Sequence, residues 1–159
     1  MKRVMVLILL AVVATGASVF TLAPVASAHE GTGQVDLAGA GVLRAAGTGF
    51  AHLRGIMDFR GSAEAGALVV HDRDGNALID VQGYGQRVDL PDGGVGYLGF
   101  HGTAHIRGRD VQIDLLARGA RLRAIGKGEA FLAGQGWYSV NGLPARPWSE
   151  AGVNVELAG

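Results

Sequence analysis

The feature that most constrains this chain is a two-residue hydrophobic rhythm threaded through glycines. Between positions 121 and 140, the even positions read Leu122, Ala124, Gly126, Gly128, Ala130, Leu132, Gly134, Gly136, Tyr138 and Val140. The odd positions begin Arg121, Arg123, Ile125, Lys127 and Glu129. Successive side chains of a strand point to opposite faces, so this is the pattern of a half-buried strand, whereas a helix would scatter the same residues around its circumference. The first third of the chain shows the same alternation. Val35, Leu37, Leu43, Ala45, Ala51, Leu53, Met57 and Phe59 share one face, and Gln34, Asp36, Arg44, Thr48, His52, Arg54, Asp58 and Arg60 share the other. At about 3.3 Å per residue an unbroken run of this length would reach roughly 100 Å. A small domain cannot contain it, so the chain must bend while keeping its phase, and glycine permits the bulges and corners this needs.

Two stretches of the chain resemble one another. Residues 43–55 read LRAAGTGFAHLRG and residues 122–134 read LRAIGKGEAFLAG, with eight of thirteen positions identical. Shorter echoes occur at 33–39 and 102–108, with no fixed spacing between them, which argues against a regular repeat array. They read as equivalent strands in a sheet that turns its corners at Gly-x-Gly.

Turn chemistry suggests how the remaining strands connect. Asp72-Arg73-Asp74-Gly75-Asn76 lies between two apolar runs and reads as a hairpin turn, as does Leu90-Pro91-Asp92-Gly93-Gly94. Arg109-Asp110 is expected to turn the chain between 103–108 and 111–117. Short connections and no convincing amphipathic helix favour antiparallel pairing. The expected fold is therefore all-β, an antiparallel glycine-rich β-sandwich or small barrel, with a β-solenoid as the alternative.

The N-terminus reads as a signal peptide. Lys2 and Arg3 precede an uncharged apolar stretch that ends in Pro24 and Ala26-Ser27-Ala28, a signal-peptidase pattern. An uncleaved membrane anchor is the alternative. The expected organisation is a signal peptide at 1–28, a glycine-rich all-β domain at 29–142, and a tail at 143–159 with at most one short strand. The expected location is secreted or at the cell envelope. There is no cysteine, which excludes disulfides and thiolate metal sites. Removal of Lys2 and Arg3 leaves twelve of the 14 basic groups against 14 acidic ones, with acids interspersed among the arginines. That balance is unlike a nucleic-acid binder.

Catalytic motifs are wanting. Gly94-Val95-Gly96-Tyr97-Leu98-Gly99 has dinucleotide-loop spacing, but a turn precedes it and a β pattern follows, where a strand and a helix are required. The three serines beyond position 28, Ser62, Ser139 and Ser149, lie in no nucleophile motif. Asp72-x-Asp74 resembles the start of a calcium loop but lacks the later bidentate carboxylate, so a solvated turn is expected.

Histidines supply the candidate metal ligands. His52 and His105 occupy equivalent places in AHLRG and AHIRG, and His101 shares the polar face with His105. After cleavage His29 would carry a free α-amine beside its imidazole, a pair suited to Cu(II). In that one residue and in fold class the chain resembles exported β-sandwich copper proteins. Trp137 lies on the polar face, and the tail is expected to fold back on it through Trp148, with an exposed binding patch as the alternative. The leading functional expectation is a non-enzymatic extracytoplasmic domain with a structural or interaction role at the envelope, with self-association as one route. Copper binding through His29, His52, His101 and His105 is the alternative.

Overall fold

The structure is a computed structural model that describes residues 31–159; residues 1–28, expected to be a signal peptide, and His29 lie outside the described residues. Eight strands run in chain order: β1 (Gly41–Ser62), β2 (Ala65–Asp72), β3 (Leu78–Gln82), β4 (Gln86–Asp89), β5 (Val95–Leu98), β6 (Thr103–Val140), β7 (Arg146–Trp148) and β8 (Val153–Leu157). β1 has 22 residues and β6 has 38, against a usual strand length of roughly 3–10.

The expected sandwich or small barrel is not what forms, and neither is the solenoid. All eight strands belong to a single hydrogen-bonded sheet in the order β1-β6-β2-β5-β4, with β3, β7 and β8 attached to β6. The sheet is open. β4 ends the path, and β3, β7 and β8 likewise have one partner strand each. A barrel needs a closing pair and a sandwich needs two separate sheets. A β-solenoid stacks parallel strands, whereas every pairing here is antiparallel. Alternation dictates which side of a strand is dry but says nothing about which strand lies beside it. The two long strands take most of their partners from each other, so residues 121–126 of β6 lie between residues 41–46 and residues 57–62 of β1.

Bulges bend the long strands. Gly47 pairs with Ala120 and Gly49 with Ala117, so two residues of β6 oppose one of β1. The same happens where Gly55 pairs with Val111 and Met57 with Gly108. Arg109-Asp110, expected to be a turn, is this second bulge, and β6 continues through it. The bulged backbone remains bonded: the Asp110 carbonyl accepts from the Arg73 N–H at 3.2 Å, and the Arg118 carbonyl from the Glu64 N–H at 3.1 Å. The two similar stretches pair with each other, so Gly49 opposes Gly134 and Gly55 opposes Gly128. All four have positive φ, between 136° and 152°. A Cβ on Gly49 would strike the Ala133 carbonyl oxygen, and one on Gly55 that of Lys127. Glycine is required there because two backbones meet without room for a side chain.

The bends collect one core. Leu43, Leu53, Met57 and Phe59 of β1 pack in one cluster with Leu68, Ile106, Ile113, Leu115, Leu132 and Leu157, all almost fully buried. Fully burying one such side chain is worth about 1.5–3 kcal/mol. Tyr97 adds its ring edge-on to Tyr84, with centroids 5.0 Å apart, and burial pushes its phenol above the usual value.

The Asp72–Asn76 turn is not a hairpin turn, because β2 and β3 pair with different parts of β6. Asp72 closes it instead, accepting from the Gly75 N–H at 3.1 Å and the Ala77 N–H at 2.8 Å. The 90–94 turn does join a hairpin, β4 to β5. The edge strand β4 carries an Arg87–Asp89 ion pair at 3.0 Å, and edge charges of this kind discourage strand addition. The tail contributes β7 and β8, both paired with β6.

Candidate anion-binding face

The structure separates the candidate metal ligands. His52 pairs across the sheet with Asp114 and Phe131, whereas His105 pairs with Arg60 and Asp80. His101 follows β5 in a loop, where its Nδ1 lies 2.7 Å from the Gly99 carbonyl. Among the described residues no group of three or more His, Asp or Glu side chains is placed to hold a metal. This weighs against the copper alternative for His52, His101 and His105; His29 lies outside the described residues.

Each of three histidines faces one carboxylate. His52 Nδ1 is 2.7 Å from Asp114 Oδ1, and Gln112 Nε2 donates to Asp114 Oδ2 at 3.0 Å. Asp114 is 3% exposed, the one buried charged side chain among the described residues. His71 Nε2 lies 3.0 Å from Asp92 Oδ2 in the β4–β5 turn. Gly94 leaves room for that imidazole, since a Cβ there would come 2.5 Å from its Nε2. His105 Nε2 lies 3.1 Å from Asp58 Oδ1.

The third pair borders a different arrangement. Cross-strand pairing sets Asp80, His105, Arg60, Arg123, Arg44 and Ser139 in one row over β3, β6, β1, β6, β1 and β6. Three arginines are therefore directly adjacent, on strands about 4.8 Å apart. Arg121 occupies the next row, between Ser62 and Ala46, and Trp137 opposes Ala46. These side chains share the solvent face because their neighbours along each strand, Leu43, Ala45, Phe59, Leu122 and Ala124, fill the core. Arg44, Arg60, Arg121 and Arg123 are all exposed.

Their charges are poorly compensated. Asp58 is the acid that pairs with a member of the row among the described residues, and it already takes His105, with Arg60 Nε at 3.8 Å and Arg107 Nε at 4.0 Å. Arg44, Arg121 and Arg123 form no ion pair among the described residues. Like charges directly opposite on a sheet are destabilising. The chain as a whole has as many acidic as basic groups, so this concentration is local. The row lines an open groove of about 800 Å³ that also holds Asp80, Thr103 and Trp137. Guanidinium groups remain charged at every accessible pH and bind carboxylate or phosphate with two parallel hydrogen bonds.

Trp137 is 46% exposed and stands at the groove's rim. The tail does fold back, but its Trp148 goes to the opposite side, buried against Gly47 and Gly136. Composition alone missed the arginine row, because its members come from three separated stretches. One signal was legible: Arg44 and Arg123 occupy the same place in the two similar thirteen-residue stretches.

Comparison with family models, with curated proteins and with solved structures yields no match.

Proposed function

We propose that this chain is an exported, non-enzymatic binding module of the cell envelope, and that its working surface is the arginine-lined groove, which takes an anionic ligand. The observation that carries the reading is the run Arg60, Arg123, Arg44, adjacent across two segments of β1 and the β6 segment between them, with no acid among them. Such a row costs the fold stability through like-charge repulsion, and a bound anion supplies the missing countercharge. The leader-like N-terminus, with Lys2, Arg3 and Ala26-Ser27-Ala28, supports export. Nucleophile motifs are missing from the sequence, and the groove offers guanidinium donors on a sheet face, which suits binding better than turnover.

A ligand that binds only the folded state raises its stability as concentration rises. The test is thermal unfolding of the purified protein with increasing inorganic tripolyphosphate, against sodium chloride of matched ionic strength. The reading expects the melting temperature to rise with tripolyphosphate more than with chloride, and the difference to vanish in Arg44→Gln/Arg123→Gln. An equal response to the two salts would remove the anion site. Fractionation of the producing cells tests export separately: recovery of the chain in the cytoplasm at full length would contradict it.

A further inference from the structure

The groove combines features that a site for simple anions does not need. Trp137 presents its indole on the solvent face, one row from Arg44 and Arg123. Ala46 opposes it on one side and Pro147 of β7 on the other, and the small alanine leaves the indole open toward the groove. Ser62 and Thr103 bring hydroxyls to the same wall, and Asp80 closes the far end of the arginine row. A carboxylate at that end accepts hydrogen bonds from hydroxyl groups, which a chain of phosphates does not offer.

From these groups we infer that the ligand is an acidic saccharide, a short run of carboxylate-bearing pyranose rings. The inference rests on the anion-binding reading above and specifies its ligand. A pyranose has an apolar C–H face that stacks on an indole. Its carboxylate takes the two parallel N–H groups of a guanidinium. Its hydroxyls meet Ser62, Thr103 and Asp80. The groove's volume of about 800 Å³ suits a ligand of a few rings. A single-stranded nucleic acid fits less well, because it calls for an uninterrupted basic track with several stacking rings. This groove has one exposed tryptophan and ends in an acid.

Calorimetric titration of the purified protein with trigalacturonate, cellotriose, tripolyphosphate and a thymidine oligonucleotide tests it. Trigalacturonate is expected to bind most tightly, and neutral cellotriose at least about tenfold more weakly. Trp137→Ala is expected to weaken trigalacturonate about tenfold while changing tripolyphosphate less than about twofold; Arg123→Gln is expected to weaken both. Circular dichroism shows whether each variant keeps its strands, and a variant that loses them is replaced by Trp137→Leu or Arg123→Lys. Equal or tighter binding of tripolyphosphate or the oligonucleotide would overturn the saccharide assignment and leave the anion site standing. So would an unchanged trigalacturonate affinity in the folded tryptophan variant. Binding of none of the four would overturn both.

Discussion

The imidazole Nδ1 of His52 lies 2.7 Å from the Asp114 carboxylate across the ladder between β1 and β6. Asp114 is almost fully buried although it points to the outer side of its strand, so its two carboxylate oxygens rely on this imidazole and on the Gln112 amide for hydrogen bonds. Replacing one partner strands a buried acceptor, which costs about 1–3 kcal/mol, whereas replacing both by apolar groups costs less than the sum. His52→Ala should therefore lower the urea midpoint clearly, and His52→Ala/Asp114→Ala should lose less than the two single changes added together. Strict additivity in urea unfolding would show that the pair is not coupled.

The paired glycines separate two roles that composition cannot distinguish. Gly49 has φ 147°, and a Cβ there would enter the Ala133 carbonyl. Gly96, in β5, has no such φ, and its nearest neighbour to a new Cβ is the Val88 carbonyl oxygen at 3.7 Å. Gly49→Ala should destabilise by about 2–3 kcal/mol through overpacking and backbone strain. Gly96→Ala should be neutral, or stabilising by up to about 1 kcal/mol, through reduced freedom of the unfolded chain. Denaturant melts of the two variants check this, and equal losses would contradict the assignment.

Much of the local structure was legible in the sequence. Alternation identified the dry side of β1 and β6: Leu43, Ala45, Leu53, Phe59, Leu122 and Leu132 are all buried. The strand at 153–157 and the 90–94 hairpin turn were also readable. Neighbour relations were not. The Asp-Gly signal at 74–75 suggested a β2–β3 hairpin, yet each strand found a better partner in β6, because a turn motif reports local bending and not pairing. Arg109-Asp110 resembled a turn for the same reason and proved to be a bulge. Closure into a sandwich or barrel was expected from strand count and short connections, which do not specify whether the last edges meet. The site was least legible: Arg44, Arg60 and Arg123 meet only through pairing over long separations.

Asp92 gives the fold a measurable dependence on acid. Its carboxyl is held below the ordinary 3.8, chiefly by the hydrogen bond from His71, with burial opposing and the Gly94 N–H assisting. A carboxylate favoured in the folded state stabilises fully above the unfolded value and ceases to do so as pH falls through the folded one. The clasp therefore contributes in full above about pH 4–5 and is lost on further acidification. A carbon NMR titration should place the Asp92 midpoint below 3.8, and His71→Phe should move it upward. A midpoint unmoved by that change would contradict the clasp.

Arg123 faces arginine on both sides, Arg44 and Arg60. A residue kept for binding at the expense of the fold should leave the protein more stable when neutralised. Arg123→Gln is expected to gain a few tenths to about 1 kcal/mol at low ionic strength, and the gain should shrink as salt screens the row. Urea unfolding at low and high salt reads both. A loss of more than about 1 kcal/mol at low salt would assign Arg123 a structural task instead.

The most direct test of the anion-binding groove is an NMR titration of the isotope-labelled protein with trigalacturonate, following backbone amides, arginine Nε–H groups and indole N–H groups. The account predicts shifts confined to Arg44, Arg60, Arg121, Arg123, Trp137 and their cross-strand neighbours, with the buried indole of Trp148 and the His52–Asp114 pair farther along the strands unmoved. Shifts centred elsewhere, or none at concentrations that saturate the calorimetric signal, would contradict it.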